Sequence, residues 1–252
     1  MKTSTEHALA KVPEVTLGFW LIKIAATTLG ETGGDAVSMS MNLGYLVGTG
    51  IFAAIFLAAV VAQVKAKGFH PFLYWTTIIA TTTVGTTLAD FADRSLGIGY
   101  AGGSSLLLAL LLGSLFVWHR TLGSVSVTTV SSPNAEAFYW LTIMFSQTLG
   151  TALGDWTADT AGLGYTGAAI VFGGLLALVV AAYYWTSVSR TLLFWAAFIL
   201  TRPLGAVVGD FLDKPLSEGG LALSRYSASA ALLVFMLTAI LLFKQRAART
   251  AH

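Results

Sequence analysis

The sequence contains no cysteine and few charged residues. Without cysteine, this chain of 252 residues has no disulfide, no thiolate nucleophile and no thiolate metal site. Charged residues make up 10% of it and hydrophobic residues 56%, whereas soluble domains are about 25% charged. So few charges cannot cover a water-facing surface, and a formal net charge of +2 is too small to indicate nucleic-acid binding. The composition therefore excludes a soluble domain and predicts a polytopic membrane protein.

Eight segments are apolar enough for membrane-spanning helices of about 20 residues. Four lie within stretches that contain no Asp, Glu, Lys or Arg, at 36–64, 95–118, 160–189 and 226–243. Four others are apolar but contain Thr, Gly and an occasional charge, at about 15–35, 71–90, 137–155 and 191–210. Because the number of crossings is even, both termini are expected on one side of the membrane.

The basic residues indicate which side that is. They concentrate at the termini and at alternate connections, at Lys2, Lys11, Lys65, Lys67, Arg120, Arg190, Lys244, Arg246 and Arg249. The positive-inside rule then predicts that both termini are cytoplasmic. The histidines fall on this same side, at His7, His70, His119 and His252, so a His-rich outward zinc site is not expected.

A four-fold internal repeat is the strongest feature of the sequence. Each copy begins with an aromatic–Trp pair, at Phe19-Trp20, Tyr74-Trp75, Tyr139-Trp140 and Phe194-Trp195. Ten residues after each Trp is a glycine, at Gly30, Gly85, Gly150 and Gly205. Fourteen residues after it is a small residue, at Gly34, Ala89, Gly154 and Gly209, and the next residue is Asp35, Asp90, Asp155 or Asp210. Each repeat predicts one motif-bearing helix and one apolar helix, and all four repeats enter the membrane in the same direction.

A second period of 120 residues is superimposed on the four-fold repeat, since Leu43-Gly44-Tyr45 returns as Leu163-Gly164-Tyr165. It predicts a duplicated four-helix half and favours two-fold over four-fold pseudosymmetry. The first half is 1–120 with repeats 1 and 2, a cytoplasmic linker is 121–133, and the second half is 134–252 with repeats 3 and 4.

With these motifs, and with the runs Lys11–Thr16 and Thr28–Asp35, the whole chain resembles a family of bacterial inner-membrane proteins. That family is built from four tandem copies of a two-helix repeat that is classed as a domain of unknown function. The resemblance implies an all-α fold of eight transmembrane helices in four parallel two-helix units. It implies no particular activity.

Carboxylates are predicted to gather at the outward ends of the motif helices. Fifteen helical residues measure about 22 Å, so if the Trp residues mark the cytoplasmic interface, the four aspartates share a level near the outer edge of the membrane. Oxygen ligands suit a hard divalent cation, with manganese our first expectation. The alternative is that the aspartates simply end their helices in water. The predicted ligands are Glu31, Asp35, Asp90, Asp93, Asp155, Asp159, Asp210 and Asp213.

Other residues are expected to support this site. Thr28, Thr83 and Thr148 are predicted to line a path to the carboxylates. Lys23 and Arg202 lie inside the membrane and are predicted counter-charges, and Arg202 needs Glu31 or an aspartate as a partner. The small residues should bring the motif helices together as an inner ring, with the apolar helices outside and the Trp residues as interfacial anchors. Arg94 and Lys214 are expected to be solvated turn residues.

The sequence thus predicts a transporter of a divalent metal cation, with proton exchange as the coupling. The cation is the substrate, no resident cofactor or enzyme activity is expected, and the partners are the lipid bilayer, the cation and protons. Two alternatives stay open, a membrane-embedded metal-dependent enzyme that acts on a lipid or periplasmic substrate, and a non-transporting structural or sensory protein. The enzyme is disfavoured because no nucleophile motif and no outward histidine is present. The sequence does not indicate an oligomeric state.

Overall fold

A computed structural model describes residues 10–248, so that Lys2, His7, Arg249 and His252 of the predicted cytoplasmic pattern lie outside it. The described residues form eight long α-helices and no strand, which confirms the all-α fold of four two-helix repeats. The first four helices are α1 Leu17–Asp35, α2 Tyr45–Lys65, α3 Pro71–Asp90 and α4 Tyr100–Leu122. The last four are α5 Pro133–Asp155, α6 Gly164–Trp185, α7 Arg190–Asp213 and α8 Arg225–Leu242.

Local sequence explains where the motif helices begin and end. The Thr16 hydroxyl accepts a hydrogen bond from the Phe19 amide, and Ser132 caps α5 in the same way through the Ala135 amide. Proline occupies the first position of α3 and α5, where its missing amide costs nothing. After the motif aspartate, three of these helices widen into one π-helical turn before the short connection, at Ala36–Ser40, Phe91–Ser95 and Trp156–Thr160.

The four motif helices form a closed ring. Helix α1 packs against α3, α3 against α5, α5 against α7, and α7 against α1. Each apolar helix packs against the motif helix of the next repeat, α2 on α3, α4 on α5, α6 on α7 and α8 on α1. Helix packing therefore follows a four-fold pattern, although the 120-residue period favours a two-fold one. The predicted halves meet along α3–α5 and α7–α1, and residues 123–132 of the predicted linker join α4 to α5.

The outer helices present apolar surface. Five helices, α2, α4, α6, α7 and α8, are long and apolar enough to cross a membrane. In the four outer helices, between 11% and 22% of the residues in the most apolar stretch are buried. In α7, which belongs to the ring, 61% are buried. Exposed apolar side chains are favourable in contact with lipid, and a helix in the bilayer satisfies its own backbone hydrogen bonds. The chain is a multi-pass membrane protein with an inner ring of motif helices and an outer shell.

The aromatic–Trp pairs fill the ring at the end where the described termini lie. Each aromatic ring contacts the Trp of a neighbouring repeat, with ring centroids 5.4 Å apart for Phe19–Trp75 and 5.7 Å apart for Tyr74–Trp140. Trp75, Trp140 and Trp195 are at most 3% exposed. The expectation that these three anchor the protein at the lipid interface is therefore wrong, because they are buried against Phe19, Tyr74 and Tyr139 of the preceding repeats instead. We call the eight side chains of the four pairs the aromatic plug.

Segments from both ends of the chain lie beside the aromatic plug. The Ala248 amide donates to the Val12 carbonyl at 2.9 Å, and the Glu14 amide donates to the Arg246 carbonyl at 2.8 Å. The Trp75 indole donates to the Gln245 side chain at 3.2 Å, which joins the C-terminal segment to the plug. This end of the ring is consequently covered by the segments that precede α1 and follow α8.

Candidate functional site

The repeated glycines bring the motif helices close enough to form a site between them. A Cβ atom added to any of the four would lie closer than 3.0 Å to the neighbouring motif helix. The residues met are Thr27, Thr82, Gln147 and Arg202, all seven positions after their own Trp. The glycines are thus packing positions that let backbones approach. Helix α1 runs unbroken through Gly30, Gly33 and Gly34, so these glycines do not open it.

Arg202 lies at the centre of a fully buried polar group. Its NH2 group donates to Glu31 Oε2 at 3.0 Å and to the hydroxyls of Thr86 and Thr151. The Thr86 hydroxyl also donates to Glu31 Oε2, at 3.2 Å. Glu31, Thr86 and Thr151 all stand eleven positions after their Trp, so three repeats converge on one guanidinium. Glu31 is one of the partners that the sequence suggested for Arg202.

The four motif aspartates lie together just beyond this group and away from water. None of Asp35, Asp90, Asp155 and Asp210 is more than 3% exposed. They are therefore buried between helices and do not end their helices in water. Carboxylates from separate repeats approach each other closely: one oxygen of each of Glu31, Asp35 and Asp90 lies within 4.8 Å of the other two. The same holds for Asp35, Asp210 and Asp213.

Two basic residues bridge the aspartates in pairs. Lys214 Nζ lies 2.6 Å from Asp35 Oδ2 and 3.0 Å from Asp210 Oδ1. Arg94 Nε lies 2.8 Å from Asp90 Oδ1, and its NH2 group 3.8 Å from Asp155 Oδ2. Arg94 and Lys214 occupy the same position in repeats 2 and 4, so the ion pairs follow the two-fold period although the helices follow a four-fold one.

Lys214 is not the solvated turn residue that the sequence suggested, because it is only 6% exposed. Burial by itself lowers the pKa of Lys214. The carboxylates of Asp210 and Asp35 raise it by more than burial lowers it, so the net pKa is above its ordinary value. Lys214 therefore remains a cation between these carboxylates. Arg94 fits the expectation better, since 33% of its side chain is exposed.

A third bridge comes from the last helix. Arg225 Nε lies 2.9 Å from Asp213 Oδ2 and 3.7 Å from Asp35 Oδ2. The buried carboxylates and the basic side chains that pair with them form what we call the acidic cluster. Its six carboxylates are Glu31, Asp35, Asp90, Asp155, Asp210 and Asp213, and its four cations are Arg94, Arg202, Lys214 and Arg225. With every group ionised, the cluster has two negative charges in excess.

Free oxygens remain within the acidic cluster. Among the residues described, the hydrogen bonds of Glu31, Asp35 and Asp90 use Oε2, Oδ2 and Oδ1 respectively. The other oxygen of each carboxylate makes no hydrogen bond in this part of the chain. Three such oxygens from two neighbouring helices suit a hard cation such as Mn²⁺, Mg²⁺ or Ca²⁺.

Two predicted ligands lie apart from the cluster. Asp159 is exposed on the turn after α5, at the repeat position that Arg94 and Lys214 occupy elsewhere. Asp93 is partly exposed, and its Oδ1 faces Gly103 at the start of α4. Neither forms an ion pair within residues 10–248.

The predicted path residues are buried, but their polar groups do not join the cluster. The hydroxyls of Thr28, Thr83 and Thr148 donate to carbonyls of their own helices, at 2.8 to 3.0 Å. Lys23 is fully buried, its Nζ lies 4.2 Å from the centre of the Phe198 ring, and it has no hydrogen-bond partner among the described residues. Lys23 therefore lies between the aromatic plug and Arg202.

Sequence reasoning missed several members of the cluster. Arg94 and Lys214 stand four residues after a motif aspartate, and this helical spacing was a usable signal for an ion pair. Thr86 and Thr151 occupy the repeat position of Glu31, but nothing local showed that they would bind Arg202. Arg225 reaches Asp35 and Asp213 from another helix, and no sequence signal indicates that contact.

Comparison with known families gives one match. A family model described as a Repeat of Unknown Function, DUF347, matches residues 18–69, 73–124, 138–189 and 193–250. The four matches coincide with the four two-helix units. Searches of curated proteins and of solved structures found no match.

Proposed function

Since the chain belongs to the DUF347 repeat family, whose four copies here enclose a buried acidic cluster, we propose that it transports a divalent metal cation in exchange for protons. The observation that carries this proposal is the charge of the cluster. Six buried carboxylates face four basic groups, and an uncompensated buried charge is costly. One divalent cation, or two protons, neutralises the excess.

This balance supports an exchange of protons for the cation. A state that holds the cation and a state that holds two protons have the same charge, so the cluster alternates between them without burying net charge. The expected stoichiometry is two protons for each divalent cation. Manganese is the first candidate among the hard cations that carboxylate oxygens suit, which are Mn²⁺, Mg²⁺ and Ca²⁺.

Glu31, Asp35 and Asp90 are the proposed ligands, and Arg202 is the counter-charge. The guanidinium donates to Glu31 and also to the hydroxyls of Thr86 and Thr151, so it keeps two acceptors when a cation engages the carboxylate. Lys23 is left out of this charge balance because its Nζ makes no hydrogen bond among the described residues. Its role as a second counter-charge, and that of the three threonines as lining of the path, stay predictions.

The position of the cluster favours access from the periplasm. The aromatic plug and the terminal segments lie on one side of it. On the other side, Arg94 and Arg225 lie between the cluster and the solvent, with 33% and 20% of their side chains exposed. With both termini in the cytoplasm of a bacterial inner membrane, the cluster faces outward, and the plug must rearrange for the cation to pass.

Flux in proteoliposomes tests the proposal. An imposed pH gradient should drive Mn²⁺ transport by the purified protein. A pH dye inside the vesicles should report two protons moved in the opposite direction for each Mn²⁺ ion. Asp35→Asn should abolish this flux, because Asp35 belongs to both carboxylate triads. Asp159→Asn is the matched control and should transport normally, because Asp159 is exposed and outside the cluster.

Other results would identify the alternatives. Turnover of a lipid or periplasmic substrate in detergent, without a gradient, would support the enzyme. Absence of flux from folded wild-type protein with Mn²⁺, Mg²⁺ and Ca²⁺ alike would refute transport and leave the structural or sensory protein. Equal flux in Asp35→Asn and wild type would refute the assignment of the site.

A further inference from the structure

A cleft of about 390 Å³ lies apart from the acidic cluster, between α1, α6 and α7. Its lining includes Ile24 of α1, Val179 of α6, and Ala197 and Thr201 of α7. Helices α1 and α7 are the first and the last motif helix, so the cleft lies along the contact that closes the ring. The volume is that of a small-ligand pocket.

The cleft has a long apolar part and a short polar part. Four of its polar residues, Thr16, Ser126, Arg190 and Thr191, gather where α1 and α7 begin, and Thr201 lies at the far end. Ten residues of α7 separate Thr191 from Thr201, or about 15 Å along the helix. This is half of the ~30 Å hydrocarbon core, the depth of one lipid leaflet. The shape therefore fits a chain that enters from the headgroup level and ends near mid-membrane.

The mouth of the cleft is positively charged. Arg190 stacks over the Tyr183 ring, 4.2 Å from its centre, and donates to the Tyr183 carbonyl. Both contacts hold the guanidinium in place without neutralising it, and no carboxylate pairs with Arg190 in the described part of the chain. The N-termini of α1 and α7 lie at the same mouth and add partial positive charge. The complementary ligand is an anion with an apolar tail.

We propose that this cleft binds one anionic phospholipid of the cytoplasmic leaflet. Its phosphate lies at Arg190, and one acyl chain runs along Ala197 toward Thr201. Basic pockets between transmembrane helices on the cytoplasmic side suit such headgroups. The bound lipid contacts both α1 and α7, the helices that carry Glu31 and Arg202, and so stabilises the contact that closes the ring. The proposal requires the cytoplasmic orientation of the termini but does not require transport.

Native mass spectrometry tests it with the full-length protein. Wild type should retain one phosphatidylglycerol in preference to phosphatidylcholine, and Arg190→Gln should weaken that retention about ten-fold, as for loss of one charge-assisted hydrogen bond. Arg120→Gln is the matched control, because Arg120 is exposed near the cytoplasmic end of α4, stacks on Phe116 and lines no part of the cleft. It should bind as wild type does.

A second variant separates the apolar contribution from the charge. Ala197→Phe fills the cleft while keeping Arg190, and should reduce retention of both lipids. Equal retention of the two lipids by wild type, or equal effects of the Arg190 and Arg120 substitutions, would overturn the proposal. Asp35→Asn should still retain the lipid, so a failure of transport and a failure of lipid binding are distinguishable.

Discussion

Gly30→Ala should destabilise the ring, whereas Gly33→Ala, three residues further along the same helix, should not. A Cβ atom on Gly30 would lie 2.9 Å from Thr82 Cβ and 2.6 Å from Thr82 Oγ1. A Cβ atom on Gly33 meets nothing within 4 Å. The two substitutions add the same methyl group to α1, and they differ only in whether α3 is in the way.

The magnitude follows from two opposing effects. Carbon atoms pack best about 3.5–4.0 Å apart, so the methyl group on Gly30 pushes α1 and α3 apart or forces Thr82 to move. Overpacking of this kind costs about 1–3 kcal/mol, and this severe overlap belongs at the upper end. Alanine in place of glycine returns about 1 kcal/mol through helix propensity. We expect a net loss of about 2 kcal/mol for Gly30→Ala and a gain of up to about 1 kcal/mol for Gly33→Ala.

Thr82→Ala should rescue part of the loss. The Thr82 hydroxyl is buried without a hydrogen-bond partner among the described residues, so its removal alone should change stability by about 1 kcal/mol or less. In the double variant the Thr82 Cβ still lies 2.9 Å away, so recovery of about half is expected.

Thermal unfolding of the purified protein in detergent measures these differences. For a chain of this length 1 kcal/mol corresponds to about 2–4 °C, so Gly30→Ala should lower the Tm by about 4–8 °C. Equal Tm values for the Gly30 and Gly33 variants would refute the packing role of the repeated glycine. Strictly additive effects of Gly30→Ala and Thr82→Ala would show that Thr82 is not the residue in the way.

Two further substitutions test the buried polar contacts by the same unfolding measurement. Arg202→Gln leaves the Glu31 carboxylate buried without its cation and should lower the free energy of unfolding by about 3–5 kcal/mol. Adding Glu31→Gln in the same chain should recover most of this loss, and no recovery would contradict the pairing. Tyr74→Phe removes one of two buried hydroxyls that lie 2.6 Å apart and should lower the free energy of unfolding by about 1–2 kcal/mol. Adding Tyr139→Phe should lower it little more. Two equal losses would show that the hydroxyls act independently.

The repeat and the composition were sufficient to predict the helices and the membrane environment. Predicted motif segments such as 15–35 and 71–90 agree closely with the observed helices Leu17–Asp35 and Pro71–Asp90. These features are local, because a helix is specified by apolar residues, caps and prolines within its own length. The ring of motif helices was also predictable, since small residues four apart require a closely packed neighbour.

The membership of the acidic cluster was predicted only in part. Six of the eight proposed ligands meet in it, whereas Asp93 and Asp159 do not. The two exceptions follow the motif aspartates on the π-helical turns, where the helical period on which the prediction relied no longer holds.

By itself the sequence determined the membrane environment, the four repeats and the common level of their aspartates, because charge distribution and helical period act over a few residues. Only the tertiary structure decided that each apolar helix packs on the next repeat, that the Trp residues fill the ring, and which cation pairs with which carboxylate. Those contacts join residues as far apart as Asp35 and Lys214. They exist because α7 returns to α1 and closes the ring, an event that no local segment specifies.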